Sequence, residues 1–188
     1  NDHLFQNESI NVLDYMMKAK VRGTINLERC FSGRSGFRRF VFGSVNAYFG
    51  GNSFSSYSAV SSFLNFYAEE QAANENDYTV IHWSQWRNLG MSKGDQNETL
   101  SLRRGYYTIE PTEGWKSFKK LIQLPAGNYY VGLDQSNPFI QLESEYSGFN
   151  EVGSIYHDDG ISENEIRRYI KIAGGGLREW QVYTLPAD

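Results

Sequence analysis

Two hydroxyl side chains stand where an α/β sheet would bring them to one crevice. Ser44 follows Gly43 and the apolar run Phe40–Phe42, so it lies where a buried strand should end. Tyr57 opens an apolar pattern at helical spacing, after a loop rich in Gly, Asn and Ser. Ligands of α/β proteins bind at strand ends, so both hydroxyls could face one ligand. The alternative is structural, with a serine in a turn and a half-buried tyrosine in a helix.

The elements that must position these side chains follow from hydrophobic periodicity. A helix is predicted from about Ser9 to Cys30, with Gly23 as a weak point inside it. The other predicted elements are a strand at Phe40–Phe42, a helix from Tyr57 to about Asn74, a buried strand at Tyr78–Trp83, a helix starting at Pro111 and a strand at Asn128–Leu133. The segment from Ser92 to Thr99 is predicted to be a mobile polar loop.

The stretch from Phe40 to Phe66 resembles the catalytic segment of ketoreductase domains from polyketide synthases and nonribosomal peptide synthetases. Those domains belong to the short-chain dehydrogenase/reductase superfamily. Their pattern has a serine thirteen residues before a tyrosine. An asparagine usually follows four residues after that tyrosine. Ser44 and Tyr57 match this pattern, whereas Ser61 departs from it in the asparagine position. In the family this asparagine helps to place the lysine and a proton-relay water. Ser61 keeps a hydroxyl at the catalytic position but is shorter, and a second water could fill the gap.

A lysine completes the site that this resemblance implies. The segment from Lys20 to Leu27, KVRGTINL, resembles the ketoreductase helix that carries the catalytic lysine, with Lys18 as the competing candidate in the register. The family mechanism would make Tyr57 the proton donor, with Lys20 lowering the pKa of its phenol. Ser44 would hydrogen-bond the carbonyl oxygen and stabilise the developing alkoxide.

The resemblance also covers the cofactor and the fold. Ser84–Met91, SQWRNLGM, resembles the loop that passes over the nicotinamide in ketoreductases. NADPH is therefore the expected cofactor, with Lys20, Tyr57 and Trp86 as its binding residues. The implied fold is α/β and Rossmann-like, with a parallel sheet. We expect that sheet to be incomplete in this chain, because no Gly-x-Gly-x-x-Gly motif follows a strand near the start.

Two further features have weaker functional interpretations. Arg103 and Arg104 could meet the phosphate of a phosphopantetheine arm, although two arginines on a solvated turn are the commoner case. His82 lies inside a strand, and no other His or Cys has metal-ligand spacing to it. We therefore predict no metal site and a structural role for His82.

The chain from about Gly148 has a different character. A possible strand at Glu151–His157, a capping box at Ser162–Glu165 and a strand at Trp180–Leu185 resemble the small C-terminal subdomain of adenylation domains. The catalytic lysine segment of that subdomain is missing. The predicted division is residues 1–142, the catalytic C-terminal part of a ketoreductase domain, and residues 143–188, a linker and a partial, adenylation-subdomain-like α+β tail.

Composition sets the class of the protein and its compartment. The chain has 188 residues, 40% of them hydrophobic, and a formal net charge of −4, which suggests neither a nucleic acid nor an anionic membrane as partner. The one cysteine, Cys30, permits no internal disulfide and favours a reducing, cytoplasmic location. No apolar run approaches a membrane span, and the start is unlike a signal peptide. The absence of an initiator methionine suggests an excised piece of a longer chain, although processing could also remove that residue.

Three functions fit these features. The first is NADPH-dependent reduction of a ketoacyl thioester on a phosphopantetheinyl carrier-protein domain, with an α-keto acyl group favoured by the adenylation-like tail. The second is β-ketoacyl reduction in a polyketide synthase. The third is a non-catalytic structural subdomain, against which Ser44, Tyr57 and a matching lysine argue. The expected partners are the N-terminal half of the same ketoreductase and other synthetase domains.

Overall fold

The computed structural model describes residues 9–50, 54–74, 77–90, 98–134, 136–140, 150–155 and 180–184. The chain forms two compact units, Asn1–Trp83 with Ala126–Tyr129 and Ser84–Pro125 with Tyr130–Asp188. The predicted division at residue 142 is a different one, and it stays a prediction. In chain order the elements are α1 (Ile10–Met17), a π-helical segment (Lys18–Arg22), α2 (Gly23–Phe31), β1 (Arg39–Ser44), α3 (Asn46–Phe49), α4 (Ser55–Ala73), β2 (Tyr78–Trp83), β3 (Gln85–Trp86), α5 (Glu98–Arg103), β4 (Thr108–Ile109), α6 (Pro111–Leu121), β5 (Gly127–Leu133), β6 (Asn150–Ile155) and β7 (Trp180–Thr184).

The core of the first unit is a parallel strand pair. β1 runs parallel to β2, from Arg39 opposite Tyr78 to Ser44 opposite Trp83. Every residue of β2 is buried, as its apolar sequence predicted. β1 is only partly buried and Phe42 is 53% exposed, so the prediction of a buried strand is wrong there. Among the described strands β1 ends the order β1-β2-β5, so one of its edges has no strand beside it.

Helix α4 covers this strand pair. Its residues Leu64 and Ala68 are buried against Tyr78 and Val80 of β2. Those positions lie one helical turn apart, so they share the face of the helix that meets the sheet. The predicted helix from Tyr57 to Asn74 is confirmed, with its start two residues earlier, at Ser55.

The long helix predicted near the start is interrupted. α1 and α2 flank the π-helical segment, where the Gly23 N–H bonds to the carbonyl of Lys18, five residues back. α2 is tied to the strands through Glu28, which accepts from Arg39 Nη2 at 2.9 Å and from the Tyr78 hydroxyl at 3.1 Å. These charge-assisted bonds anchor the helical segment that carries the candidate lysine.

The second unit contains helix α6 and several short elements. β3 pairs with β4 in parallel, and Arg87, just after β3, binds Glu98 at 2.9 Å and also Glu110. Glu110 is the N-cap of α6 and forms a capping box with Glu113. The helix predicted to start at Pro111 is confirmed, whereas β3, β4 and α5 were not predicted, because two to six residues carry too little periodicity.

The strands predicted in the tail are present. β6 and β7 pair antiparallel and continue the order β5-β7-β6. The capping box expected at Ser162–Glu165 lies outside the described residues, as does most of the loop expected from Ser92 to Thr99. In the described part of the chain, no helix combines the length and the apolarity needed to cross a bilayer.

Candidate active site

Ser44 is the last residue of β1 and is held at a sharp change of direction. Helix α3 begins only two residues later, at Asn46, whose N–H donates to the Ser44 Oγ at 3.3 Å. The residue is 8% exposed. The backbone therefore brings this hydroxyl to the carboxyl end of a parallel strand, where the sequence predicted it.

Tyr57 lies in the first turn of α4, with its phenol hydrogen-bonded to the Ser44 side chain. Burial raises the pKa of Tyr57 above its ordinary value, and the smaller, opposing effect is the hydrogen bond from Ser44, which favours the phenolate. The expectation of a lowered Tyr57 pKa is thus wrong in direction, because desolvation outweighs the hydrogen bond. The phenol stays protonated at neutral pH, as a proton donor must.

Lys20 sits at the centre of the π-helical segment and points its ammonium at α4. Its Nζ donates to the Ser61 Oγ at 2.6 Å and lies 4.0 Å from the centroid of the Tyr57 ring. Burial lowers the pKa of Lys20 to about 8. The competing candidate, Lys18, is exposed and lies 5.7 Å from the ring centroid of Tyr15, which is also exposed.

Ser61 accepts the hydrogen bond of this ammonium from a fully buried position. It is 0% exposed and lies one turn after Tyr57 on the same helix. A buried ammonium is costly without acceptors, so this hydroxyl compensates part of the desolvation of Lys20. We call Lys20, Ser44, Tyr57 and Ser61 the hydroxyl–lysine cluster.

A side-chain hydrogen bond from Thr24 stabilises the backbone at Lys20. The Thr24 hydroxyl donates to the Lys20 carbonyl at 2.6 Å, and Thr24 is buried. A π-helical turn shifts the register of backbone hydrogen bonds, so a side chain that satisfies a carbonyl there stabilises the irregular turn. Sequence reasoning missed Thr24, because a threonine inside a helix is common.

His82, which was predicted to have a structural role, contacts the backbone of Ser44. His82 is 0% exposed and its Nδ1 lies 3.1 Å from the Ser44 carbonyl oxygen. Its ring rests on Gly43, the residue opposite it in the β1–β2 register. The available signal was the polar residue itself, in the otherwise apolar strand YTVIHW.

The remaining predicted residues belong to the second unit. Trp86 is partly buried in β3, and its ring fills the space above Gly114, where an added Cβ would lie 2.8 Å from Cζ2. Arg103 ends α5, and its carbonyl accepts from the Asn137 side chain at 3.1 Å. The cofactor role of Trp86 and the phosphate role of the arginines stay predictions.

The donor set of the cluster fits one end of a nicotinamide dinucleotide. An ammonium and three hydroxyls within one partly buried group suit ribose hydroxyls and a carbonyl oxygen. A cradle for the diphosphate would need a glycine-rich turn between a strand and a helix. Between β1 and α3 there is only Val45, so this turn does not provide one. The described residues contain no group of three or more His, Cys, Asp or Glu that could hold a metal ion.

Comparison with known proteins identifies the fold. Residues 1–88 match the model of the KR domain. A solved structure described as the adenylation, ketoreductase and pseudo Asub multidomain structure of a keto acid-selecting NRPS module superposes with a TM-score of 0.68 at 26% identity, over 76% of this chain and 12% of that one. The fold is that of a ketoreductase domain. It is Rossmann-like, with a parallel sheet that is incomplete in this chain, as predicted.

Curated relatives of this ketoreductase-like chain are long synthases. It is 24% identical to 6-methylsalicylic acid synthase of Aspergillus niger over 129 residues, which are 68% of this chain and 7% of that protein. It is 28% identical to phthioceranic/hydroxyphthioceranic acid synthase of Mycobacterium bovis over 150 residues, which are 77% of this chain and 7% of that protein. The chain thus spans a small fraction of the curated relatives that it matches.

Proposed function

We propose that this chain is the catalytic, C-terminal part of a megasynthase ketoreductase. The reaction is NADPH-dependent reduction of a ketoacyl thioester, tethered to a phosphopantetheinyl carrier-protein domain, to the hydroxyacyl thioester. The hydroxyl–lysine cluster carries this proposal. It joins a proton donor, a hydrogen-bond donor for the substrate oxygen and a buried ammonium within one unit of the fold.

The chemistry of reduction assigns a role to each of these side chains. The chemistry that NADPH would supply when bound is a hydride for the carbonyl carbon. Tyr57 gives its phenolic proton to the carbonyl oxygen, and Ser44 donates a hydrogen bond to that oxygen as negative charge builds on it. The Lys20 ammonium, 4.0 Å from the ring centroid of Tyr57, then stabilises the phenolate that remains. Ser61 keeps this ammonium in place from 2.6 Å.

The cofactor would be held in part by the same residues. Lys20 and Tyr57 offer N–H and O–H groups that can bind the ribose next to the nicotinamide. Trp86, the last residue of β3, would bind the nicotinamide. We assign the diphosphate to an N-terminal half of the same ketoreductase, whose sheet would continue from the open edge of β1.

An α-keto acyl substrate is the favoured choice. The solved structure that superposes over 76% of this chain comes from a keto acid-selecting NRPS module, in which the ketoreductase is accompanied by a pseudo Asub. Residues 143–188 would then correspond to that small subdomain and serve as a structural adaptor to the other synthetase domains. A cytoplasmic location is consistent with such an assembly.

A β-ketoacyl substrate is the second candidate. The observation in its favour is the likeness to two synthases of 6-methylsalicylic and phthioceranic acids at 24% and 28% identity. A non-catalytic subdomain is disfavoured, because it would have no reason to bury an ammonium against a serine and a tyrosine ring.

The test is a reduction assay on the intact protein that contains this chain. An α-ketoacyl pantetheine thioester and a β-ketoacyl thioester of the same length are supplied separately, and NADPH oxidation is followed by absorbance. We expect turnover of both with a preference for the α-keto substrate in kcat/KM. A preference for the β-keto substrate would support the second candidate, and no turnover of either would support the structural alternative.

A further inference from the structure

His82 is fully buried and takes no part in the chemistry proposed above. It lies on β2, and in the parallel register its partner on β1 is Gly43, the residue before Ser44. Buried polar side chains inside an apolar strand are costly unless they make specific hydrogen bonds. The contacts of this imidazole therefore indicate what it does.

The imidazole and Gly43 fit together closely. A Cβ built on residue 43 would lie 2.7 Å from the His82 Cε1 and closer still to Nδ1, so only glycine lets the ring lie flat against the β1 backbone. From that position Nδ1 reaches the Ser44 carbonyl oxygen at 3.1 Å. A carbonyl oxygen can only accept, so Nδ1 must carry the proton.

Burial keeps the imidazole in one charge state over the working range of pH. Burial lowers the pKa of His82 to about 3, against smaller raising effects from the Ser44 carbonyl and the Asn128 side chain, and Lys20 adds to the lowering. The ring is therefore neutral at physiological pH. A neutral ring with its proton on Nδ1 is a fixed donor to the end of β1.

We propose that His82 is a positioning residue for Ser44, and through Ser44 for Tyr57. The imidazole holds the last peptide group of β1, and this fixes the backbone from which the Ser44 hydroxyl reaches the Tyr57 phenol. The arrangement also requires Gly43, because a larger residue there would leave no room for the His82 ring. The inference rests on the proposed function for its effect on rate, but not for its effect on the phenol.

The experiment compares two variants of the intact protein. His82→Leu fills the volume without a donor, and His82→Asn keeps an N–H close to the position of Nδ1. Tyr57 is titrated by NMR with tyrosine labelled at Cζ, with Tyr57→Phe identifying its signal. We expect His82→Leu to raise the Tyr57 pKa, because the Ser44 hydrogen bond that lowers it is lost. His82→Asn should restore the wild-type titration.

The rate provides a second readout. We expect His82→Leu to lower kcat by about 10- to 100-fold with KM little changed, which is the size of effect that a misplaced catalytic group produces. His82→Asn should recover most of this loss. A Tyr57 pKa and a kcat that are unchanged in His82→Leu would overturn the inference.

A measurement on the unaltered protein keeps the test decisive if His82→Leu does not fold. The ¹⁵N shifts of the His82 ring should show the proton on Nδ1 throughout the pH range from neutral to mildly acidic. A proton on Nε2 would contradict the inference. If the ring and the phenol behave as expected but no ketoacyl thioester is reduced, the positioning role stands and the proposed function fails.

Discussion

At the scale of single residues, the site is a set of neighbours that alter one another's protonation. Tyr57 is half-buried and keeps its proton at neutral pH, while Lys20 is half-buried and its pKa is lowered to about 8. Ser44 and Ser61 supply the hydrogen bonds that offset this burial. The proposed chemistry therefore depends on side chains whose pKa values are shifted by their surroundings, which is typical of functional sites.

The proton donor can be tested by removing one oxygen atom. Tyr57→Phe should lower turnover by at least ~10²-fold, the lower range for a general acid. NADPH affinity should change little, because the other cofactor contacts remain. Stopped-flow absorbance and a cofactor titration check both statements. Tyr67→Phe is the matched control on the same helix, since Tyr67 packs against Phe63 and Tyr78. Equal rates in the two variants would contradict the role of Tyr57.

The pH dependence of turnover follows from Lys20. Its pKa in the folded protein is about 8, below the ordinary 10.5, so the ammonium is present at pH 7 and is lost as the pH rises through about 8. Turnover should fall over that range. Lys20→Arg should move the decline to higher pH, because a guanidinium stays charged. If turnover of Lys20→Arg falls over the same pH range as that of the wild type, the fall is caused by a group other than Lys20.

At the scale of elements, the decisive feature is the π-helical segment between α1 and α2. The segment carries Lys20, and Glu28 of α2 is bonded to Arg39 and Tyr78 of the two parallel strands. A helical segment fixed to the sheet can hold an ammonium against the neighbouring helix α4 with little freedom. The irregular turn is thus supported on the C-terminal side of Lys20, by Thr24 and Glu28.

Thr24 tests how much the irregular turn depends on one hydroxyl. Thr24→Val removes the hydrogen bond to the Lys20 carbonyl and keeps the shape, so it should lower the free energy of unfolding by about 1 kcal/mol. Thr24→Ser keeps the hydroxyl and should lose less. Urea denaturation measures both, and the kcat of Thr24→Val should fall with its stability. Equal stability of the two variants would show that the hydroxyl contributes nothing to the turn.

At the scale of the whole molecule, the sheet has an open edge. β1 ends the order of the described strands, and Phe42 on it is 53% exposed. Unpaired strand edges and exposed aromatic side chains favour pairing with another segment. The proposed N-terminal half would supply that segment together with the diphosphate site.

The chain expressed by itself should therefore bind no NADPH and should aggregate. Adding the proposed N-terminal half, in the same chain or as a second one, should restore solubility and cofactor binding. A titration followed by nicotinamide fluorescence, with light scattering in parallel, measures both properties. Micromolar binding by the isolated 188-residue chain would contradict the assignment of the diphosphate to another segment.

The sequence by itself determined the elements whose patterns are local. The apolar strand before Trp83 and the helix that starts near Tyr57 were predicted because burial on both faces and helical periodicity leave direct traces in the order of residues. The spacing of Ser44, Tyr57 and Ser61 is likewise a property of the chain, and the resemblance to ketoreductases rested on it.

The tertiary structure decided what depends on distance through space. It placed Lys20, and not Lys18, next to Ser61 and Tyr57. A π-helical turn changes which face of a helix a residue occupies, and it leaves no pattern in the sequence. It reversed the expected direction of the Tyr57 pKa shift, because burial depends on every neighbour of the phenol. It also joined His82 to Gly43 and Ser44 across two strands, because strand register is fixed only when the sheet forms.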